Sequence, residues 1–429
     1  MPAGSVQQNI ASQLEHVRDT LEELVLLDAN TLWSRIEKST DITAVSNRPA
    51  RIPFNVLTGG LARTGVNLFD GSDLGRGSAP TQTFGNLSCV SIIQASEYTS
   101  LSEFTTDSAE KAIENYVTIT QRQSIETFKN INDSLLCQSD GSNLLDTVVS
   151  VNGTGLVVNN ADIFQDNMQI DAWSALLPGG TMLGTLQIQS IDIANNTLWL
   201  TGTPPGAVTT GTLLLLNGSS GAANSGFFGI PYYHVSGNGG NFMGIPRSAF
   251  AGKFSTPSIT LGSGGTTTGP ITPAAARAAQ AQIDLAMGID ASDDEVGAHM
   301  NVDMSAACEN LALPVQTIVR DSVRQDESYD MLPKRQVTTF GGREIIRNIH
   351  ARTGRIDFLN LKHWFRIESR TLDMHDVGGQ TLFPIYGASG GLESSQIFYY
   401  EMMYQIGLGQ PRRDMYIPNI TPTKFYFNH

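Results

Sequence analysis

Arginine and histidine crowd one stretch of this sequence. Gly341 to Arg366, GGREIIRNIHARTGRIDFLNLKHWFR, carries Arg343, Arg347, Arg352, Arg355, Lys362 and Arg366 with His350 and His363, in a chain whose formal net charge is −14. Three chemistries suit such a stretch. His350 could move a proton, but acid–base work needs a positioned partner, and adjacency to Arg352 and Arg355 supplies none. Phosphate binding needs only local positive charge, and Met331 to Arg370 holds nine Lys or Arg against three Asp or Glu. Arginine also grips carboxylates with two parallel hydrogen bonds, which fixes register across a protein interface. The acidity of the rest of the chain opposes general DNA binding and favours this third reading.

Two further groups have reactive residue types. Gly387 to Gly391, GASGG, matches the G-x-S-x-G elbow that would present Ser389 as a nucleophile between a strand and a helix. A hydrolase of that kind needs a histidine later in the chain, where only His429 follows, and the flanks LFPIYGASGGLESS contain no helical run. Asp290, Asp293, Asp294, Glu295 and His299 in GIDASDDEVGAH offer cation ligands, yet they fit no EF-hand spacing and read as a solvated acidic loop. Cys89, Cys137 and Cys308 share no metal or disulfide spacing and read as buried thiols. No catalytic residue, metal ligand or cofactor site is expected.

The elements that would position these groups follow from periodicity. Ile10, Leu14, Val17, Leu21 and Leu24 form one helical seam in an N-terminal arm. From Asn47 to Ser100, short apolar runs broken by Gly and Pro favour a long irregular β-excursion. Asp107 with Glu110 is a capping signal for a helix of about thirty residues, which at 1.5 Å rise spans about 45 Å. Beyond it, TVVSVNG, LQIQSIDIANNTLWLTG and TLLLLNGSSG are β-runs separated by Asn-Gly, Asn-Asn and Pro-Pro turns, expected to form a small inserted barrel or sandwich. No Lys or Arg occurs between Lys129 and Arg247, so this insert cannot hold phosphates by ion pairs.

In ITPAAARAAQAQIDLAMG, Thr272 caps a helix, Pro273 takes its first position and Gly288 stops it. A second short helix is expected near Met304 to Leu313, and mostly strands from Gln336 onward. Charged residues make up only 16% of the chain and Gly number 42, a balance that suits a β-rich α+β protein packed against copies of itself. MPAGSVQQNIASQLEHVRD has no secretory pattern, and no stretch approaches a membrane span, so a soluble protein made in the cytoplasm is expected.

TTFGGREIIRNIHARTGRIDFLNLKHWFRIES, then DVGGQTLFPIYGASGGL and GQPRRDMYIPNI, resemble the C-terminal part of tailed-bacteriophage major capsid proteins. MGIPRSAFAGKFSTPSITLGSGGTTTGPITPAAARAAQAQIDLAMGID and HMNVDMSAACENL resemble the same family upstream, so the likeness covers about residues 225 to 410. It implies an α+β Hong Kong 97-type capsid fold. The expected division is a helical arm over 1–47, an extended β-loop over 48–100, a peripheral domain with a spine helix over 101–145, an inserted β-domain over 146–222, an axial domain over 223–330, and return strands over 331–429.

The resemblance also implies a homo-oligomer of hexamers and pentamers in the icosahedral head of a virion assembled in the host cytoplasm. Packaged double-stranded DNA, and portal, scaffolding and decoration proteins, are the implied partners; no membrane is. Ile10, Leu14, Val17, Leu21, Leu24, Arg343, Arg347, Arg352, Arg355 and Arg366 are then expected at subunit interfaces, some arginines facing DNA. A cellular nanocompartment shell of the same fold and a serine hydrolase using Ser389 are the alternatives.

Some members of that family link subunits through a lysine on the extended loop and a neighbour's asparagine. The loop here offers Arg51, Arg63 and Arg76 but no lysine, and a guanidinium that stays protonated cannot be the amine nucleophile. Particles boiled in detergent and reductant are expected to run as one band at the mass of a single chain. A ladder of multiples would assign the role to one of the seven lysines outside the loop.

Overall fold

The computed structural model describes residues 32–39, 49–57, 79–99, 109–250, 252–261, 268–287, 296–308, 339–340, 343–386 and 389–421, with the backbone alone described over 98–99, over 109–123 and at 394. The arm seam from Ile10 to Leu24, the acidic loop 288–295, and Arg63 and Arg76 lie outside the described residues.

Strand Leu392–Leu408 is the axis of the largest sheet. Phe398, Tyr400, Met402, Tyr404, Ile406 and Leu408, at every second position, are all buried and share one face. Trp364–Met374 and Phe383–Tyr386 pair along one side of it and Val90–Thr99 along the other, all antiparallel, while Glu37–Lys38 adds a short parallel edge to Trp364–Met374. Val90–Thr99, expected within the extended loop, is thus part of this sheet, because its ladder with Ser395–Tyr404 satisfies its backbone groups.

The 30-residue helix Ala109–Gln138 lies across the buried face. Ile125, Phe128, Leu135 and Leu136 enter the same core as the strand residues, and Tyr404 Oη donates to Asn132 Oδ1 at 2.7 Å. Ala50–Leu57 and Thr81–Leu87 form a two-stranded hairpin. Such a hairpin is marginal alone. Phe54 anchors this one edge-on against Phe242 and Phe254.

Between Leu144 and Leu216 six strands close into a barrel: Leu213–Leu216, Leu144–Asn152, Gly155–Val158, Thr197–Leu200, Met182–Asp192 and Gln169–Trp173, which pairs back to the first. Leu156, Ile170, Ile188, Leu198 and Leu214 fill it. Asn152 and Gly155 face each other across a two-residue turn in which Gly153 has φ 60°, the left-handed geometry such hairpins need.

The C-terminal sheet runs in the order Thr339–Phe340, Arg343–Arg347, Val296–Met300, Ile356–Asn360 and Met415–Ile417. Helix Pro273–Met287 covers it, capped by Thr272, whose Oγ1 accepts from Ala275 N at 3.3 Å. A short helix over 302–308 follows Val296–Met300. Ala279, Ile283, Ala298, Met300, Ile356, Phe358 and Ile417 make a second core, separate from the first. His299 and Asp357, opposite each other in register, point to the sheet's other face.

Gly229 lets the chain pass under the end of the long helix. A methyl built there would lie 2.6 to 2.7 Å from the carbonyl oxygens of Leu135, Leu136 and Ser139. Gly229→Ala is therefore expected to destabilise the subunit by about 1–3 kcal/mol, as overpacking does. A urea titration with an unchanged midpoint would show that the segment can give way.

Candidate functional site

The two cores meet where the C-terminal end of the long helix abuts the polar face of the C-terminal sheet, and this junction is built from the basic stretch singled out in the sequence. Arg343–Arg347 is a strand, 348–351 a turn under the helix end, and Ile356–Asn360 the next strand.

The turn ties itself to the helix through side chains. Asp133 Oδ2 accepts from Asn348 Nδ2 at 2.7 Å and lies 2.8 Å from His350 Nδ1, while Gln138 Nε2 donates to the His350 carbonyl at 2.7 Å. Arg352 donates through Nη2 to the Gln138 carbonyl at 2.9 Å and through Nε to Gln138 Oε1 at 3.2 Å. A guanidinium there satisfies a terminal carbonyl and meets the negative end of the helix dipole. Burial pushes the Arg352 pKa down to about 10, and the like charge of Arg355 adds to this. The barrel joins the same turn, since Asn160 Nδ2 donates to the Ile349 carbonyl at 3.0 Å.

A second cluster centres on His234, which follows the short helix Ile230–Tyr233. Its Nδ1 lies 2.7 Å from Asp357 Oδ1 and its Nε2 3.1 Å from Asp414 Oδ2, with all three side chains buried. Arg355 Nε donates to the same Asp357 oxygen at 2.8 Å and its guanidinium sits over Tyr416, 4.2 Å from the ring centre. Asp414 also accepts from Asn360 N and from Trp364 Nε1, each at 2.8 Å.

These contacts set the charge states. Burial works to lower the His234 pKa, but hydrogen bonds and charge from Asp357 and Asp414 raise it above the ordinary histidine value, while burial pushes the Asp414 carboxyl up. Burial pushes Asp357 up, yet Arg355, His234 and His299 hold it well below the usual carboxylate range. Burial, together with the positive charges of His234 and Arg355, lowers His299, which lies 3.7 Å from Cys137 Sγ, and burial with the charges of Asp133 and Asp357 raises the Cys137 thiol well above its ordinary value.

The remaining sequence candidates fall elsewhere. Arg366 is inside the subunit, over the Trp33 ring at 4.4 Å and paired with Glu368. Arg343 reaches Asp284 Oδ1 at 3.3 Å from a partly exposed site, and Arg347 ends the same strand, half-buried. Ser389 is exposed on the turn between Phe383–Tyr386 and Leu392–Leu408, a strand–turn–strand setting and not the strand–turn–helix of a nucleophile elbow. Among the described residues, no helix is long and apolar enough to cross a membrane. Sequence reading missed Asp133, His234, Asp357 and Asp414. The available signal was a lone acid amid apolar neighbours, as in Ile356-Asp357-Phe358.

No family model matches the chain, and no curated protein was found to match it. Among solved structures, a chain of the cyanophage A-1(L) capsid asymmetric unit superposes with a TM-score of 0.51 at 11% identity, covering 90% of this chain and 93% of that one. A chain from the capsid of a native GTA particle gives 0.48 at 8% identity, covering 91% and 90%. The fold is thus the α+β fold of a phage capsid protein.

His234 and His299 give stability opposite pH dependences. The raised His234 value means stability that is full below 6.5, the ordinary histidine value, and is lost as pH rises through the folded value. The lowered His299 value means stability lost as pH falls below 6.5. The melting temperature of the subunit is expected to decline as pH rises above 6.5 through the folded His234 value. That decline should be absent in His234→Gln and kept in His299→Gln; an identical profile in all three proteins would assign it to other groups.

Proposed function

We propose that this chain is a major capsid protein that assembles as hexamers and pentamers into the icosahedral head of a phage, around double-stranded DNA. The observation that carries the reading is the shared fold with a cyanophage capsid chain over nine-tenths of both molecules. The long helix, the hairpin Ala50–Leu57 with Thr81–Leu87, and the closed barrel fit a subunit whose role is contact with copies of itself. The protein then works as structure, within the virion, with portal, scaffolding and decoration proteins as further partners. The arm residues Ile10, Leu14, Val17, Leu21 and Leu24 remain proposed contacts with neighbouring subunits.

The arginines divide by environment. Arg352, Arg355 and Arg366 hold the subunit's own shape through Gln138, Asp357 and Trp33, so a neighbour meets the surface they fix. Arg343 and Arg347 retain exposure and are proposed to reach across the interface.

Electron microscopy of the purified protein tests the assignment: closed shells, capsomer rings or tubes support it, and a dispersed monomer at high concentration counts against it. Arg347→Glu is expected to leave the subunit folded by circular dichroism while blocking shell formation. Arg355→Glu is expected to cost the subunit itself about 3–5 kcal/mol, because it strands the buried Asp357 beside a like charge.

A further inference from the structure

The outer wall of the barrel carries one exposed indole. Asn152, Gly155, Trp199 and Ser190 stand opposite one another on adjacent strands, so they form a single row on one face of the wall. A methyl built on Gly155 would lie 3.3 Å from Trp199 Cζ3, so the indole leans over the glycine in the space a side chain would take. The ring is thereby seated on the sheet with 40% of the residue open, whereas Trp33, Trp173 and Trp364, the other tryptophans of the chain, are 6%, 8% and 2% exposed.

Its surroundings are polar. Asn152 and Ser190, at the two ends of the row, are exposed, and the next row of the same face ends in exposed Ser150 and in Asp192. Asn195 donates to the Asp192 carboxylate through Nδ2 at 2.7 Å and through its backbone N at 3.2 Å, and these hydrogen bonds lower the Asp192 pKa, which keeps it ionised at neutral pH. From Leu144 to Leu216 the chain contains five Asp and no Lys or Arg. An anionic ligand meets only like charge there. A second copy of the chain also fits poorly, because the core of a stable protein interface is a contiguous apolar area, and Trp199 is bounded in its row by a glycine, an amide and a hydroxyl.

We propose that this row binds a neutral oligosaccharide, with Trp199 stacked against the apolar face of one sugar ring and Asn152, Ser190 and Asp192 as partners for its hydroxyls. A pyranose presents a face of C–H bonds and a rim of hydroxyls, so an aromatic ring bordered by amide, hydroxyl and carboxylate groups matches it in both respects. The carboxylate accepts from sugar O–H groups, while the amide and the serine hydroxyl both donate and accept. Binding of this kind needs no cation, which suits the part of the chain that has none. The inference goes beyond the capsid reading and does not rest on it.

The test titrates the full-length protein with cellohexaose and with maltohexaose, following tryptophan emission, its quenching by iodide and the heat of binding. Because the other tryptophans are buried, the iodide-quenched emission reports on Trp199. Wild type is expected to show a blue shift and loss of iodide quenching with at least one of the two sugars. Trp199→Ala should lose that response and bind about tenfold more weakly or worse by calorimetry. Asn152→Ala should weaken binding about threefold, as loss of one hydrogen bond does, and Met182→Ala, an exposed apolar residue elsewhere on the barrel, should change nothing. Trp199→Leu, which keeps an apolar cover on Gly155 but cannot stack, serves if the alanine variant melts early. No binding of either sugar by wild type, unchanged affinity in the Trp199 variants, or equal binding of the anionic hexagalacturonate would overturn the site. Self-association that is lost in Trp199→Ala without sugar present would make the row a contact between copies instead. Shell formation is read separately by microscopy, so either reading can fail alone.

Discussion

Where the long helix meets the C-terminal sheet, charged and polar side chains must be buried, and each forfeits its hydration unless it finds a partner there. Asp133, Asn348 and His350 on one side, and His234, Arg355, Asp357 and Asp414 on the other, meet that demand across two separate apolar cores. Apolar packing alone would let the cores slide. Directional hydrogen bonds allow one relative placement, and the sheet supplies them by presenting Ile356 and Phe358 to one core and Asp357 to the junction. A buried charge network of this kind adds little net stability, but removing one member leaves another uncompensated.

Under the proposed capsid role this placement matters, because a shell subunit has to match its neighbours. An error at the junction would be carried along a helix about 45 Å long to the far end of the large sheet. Arg352 fixes the helix end directly by bonding its last carbonyl, and Asn160 brings the barrel to the same turn. One loop of four residues, Asn348 to Ala351, thereby references helix, barrel and sheet to each other.

Charge is distributed along the same division. Cations gather in the C-terminal third, where most of the basic stretch is spent on internal carboxylates, carbonyls and rings, while the barrel is held by apolar filling and neutral turns. A likeness in fold at 11% identity to a cyanophage capsid chain is compatible with this, because backbone placement can be set by many alternative interior partners.

The sequence by itself determined the local elements. Thr272, Pro273 and Gly288 bounded a helix that runs Pro273–Met287, and Asn152-Gly153 marked a hairpin turn. These signals are short-range, so capping and turn geometry can be read without knowing the partner. Tertiary structure alone decided which arginines turn inward. Arg366 finds Trp33 from 333 residues away, and His350 finds Asp133 across 217, distances over which composition carries no pairing information. It also moved Val90–Thr99 into the large sheet, since a strand's edge is satisfied by whichever partner the closed chain brings beside it, here Leu392–Leu408.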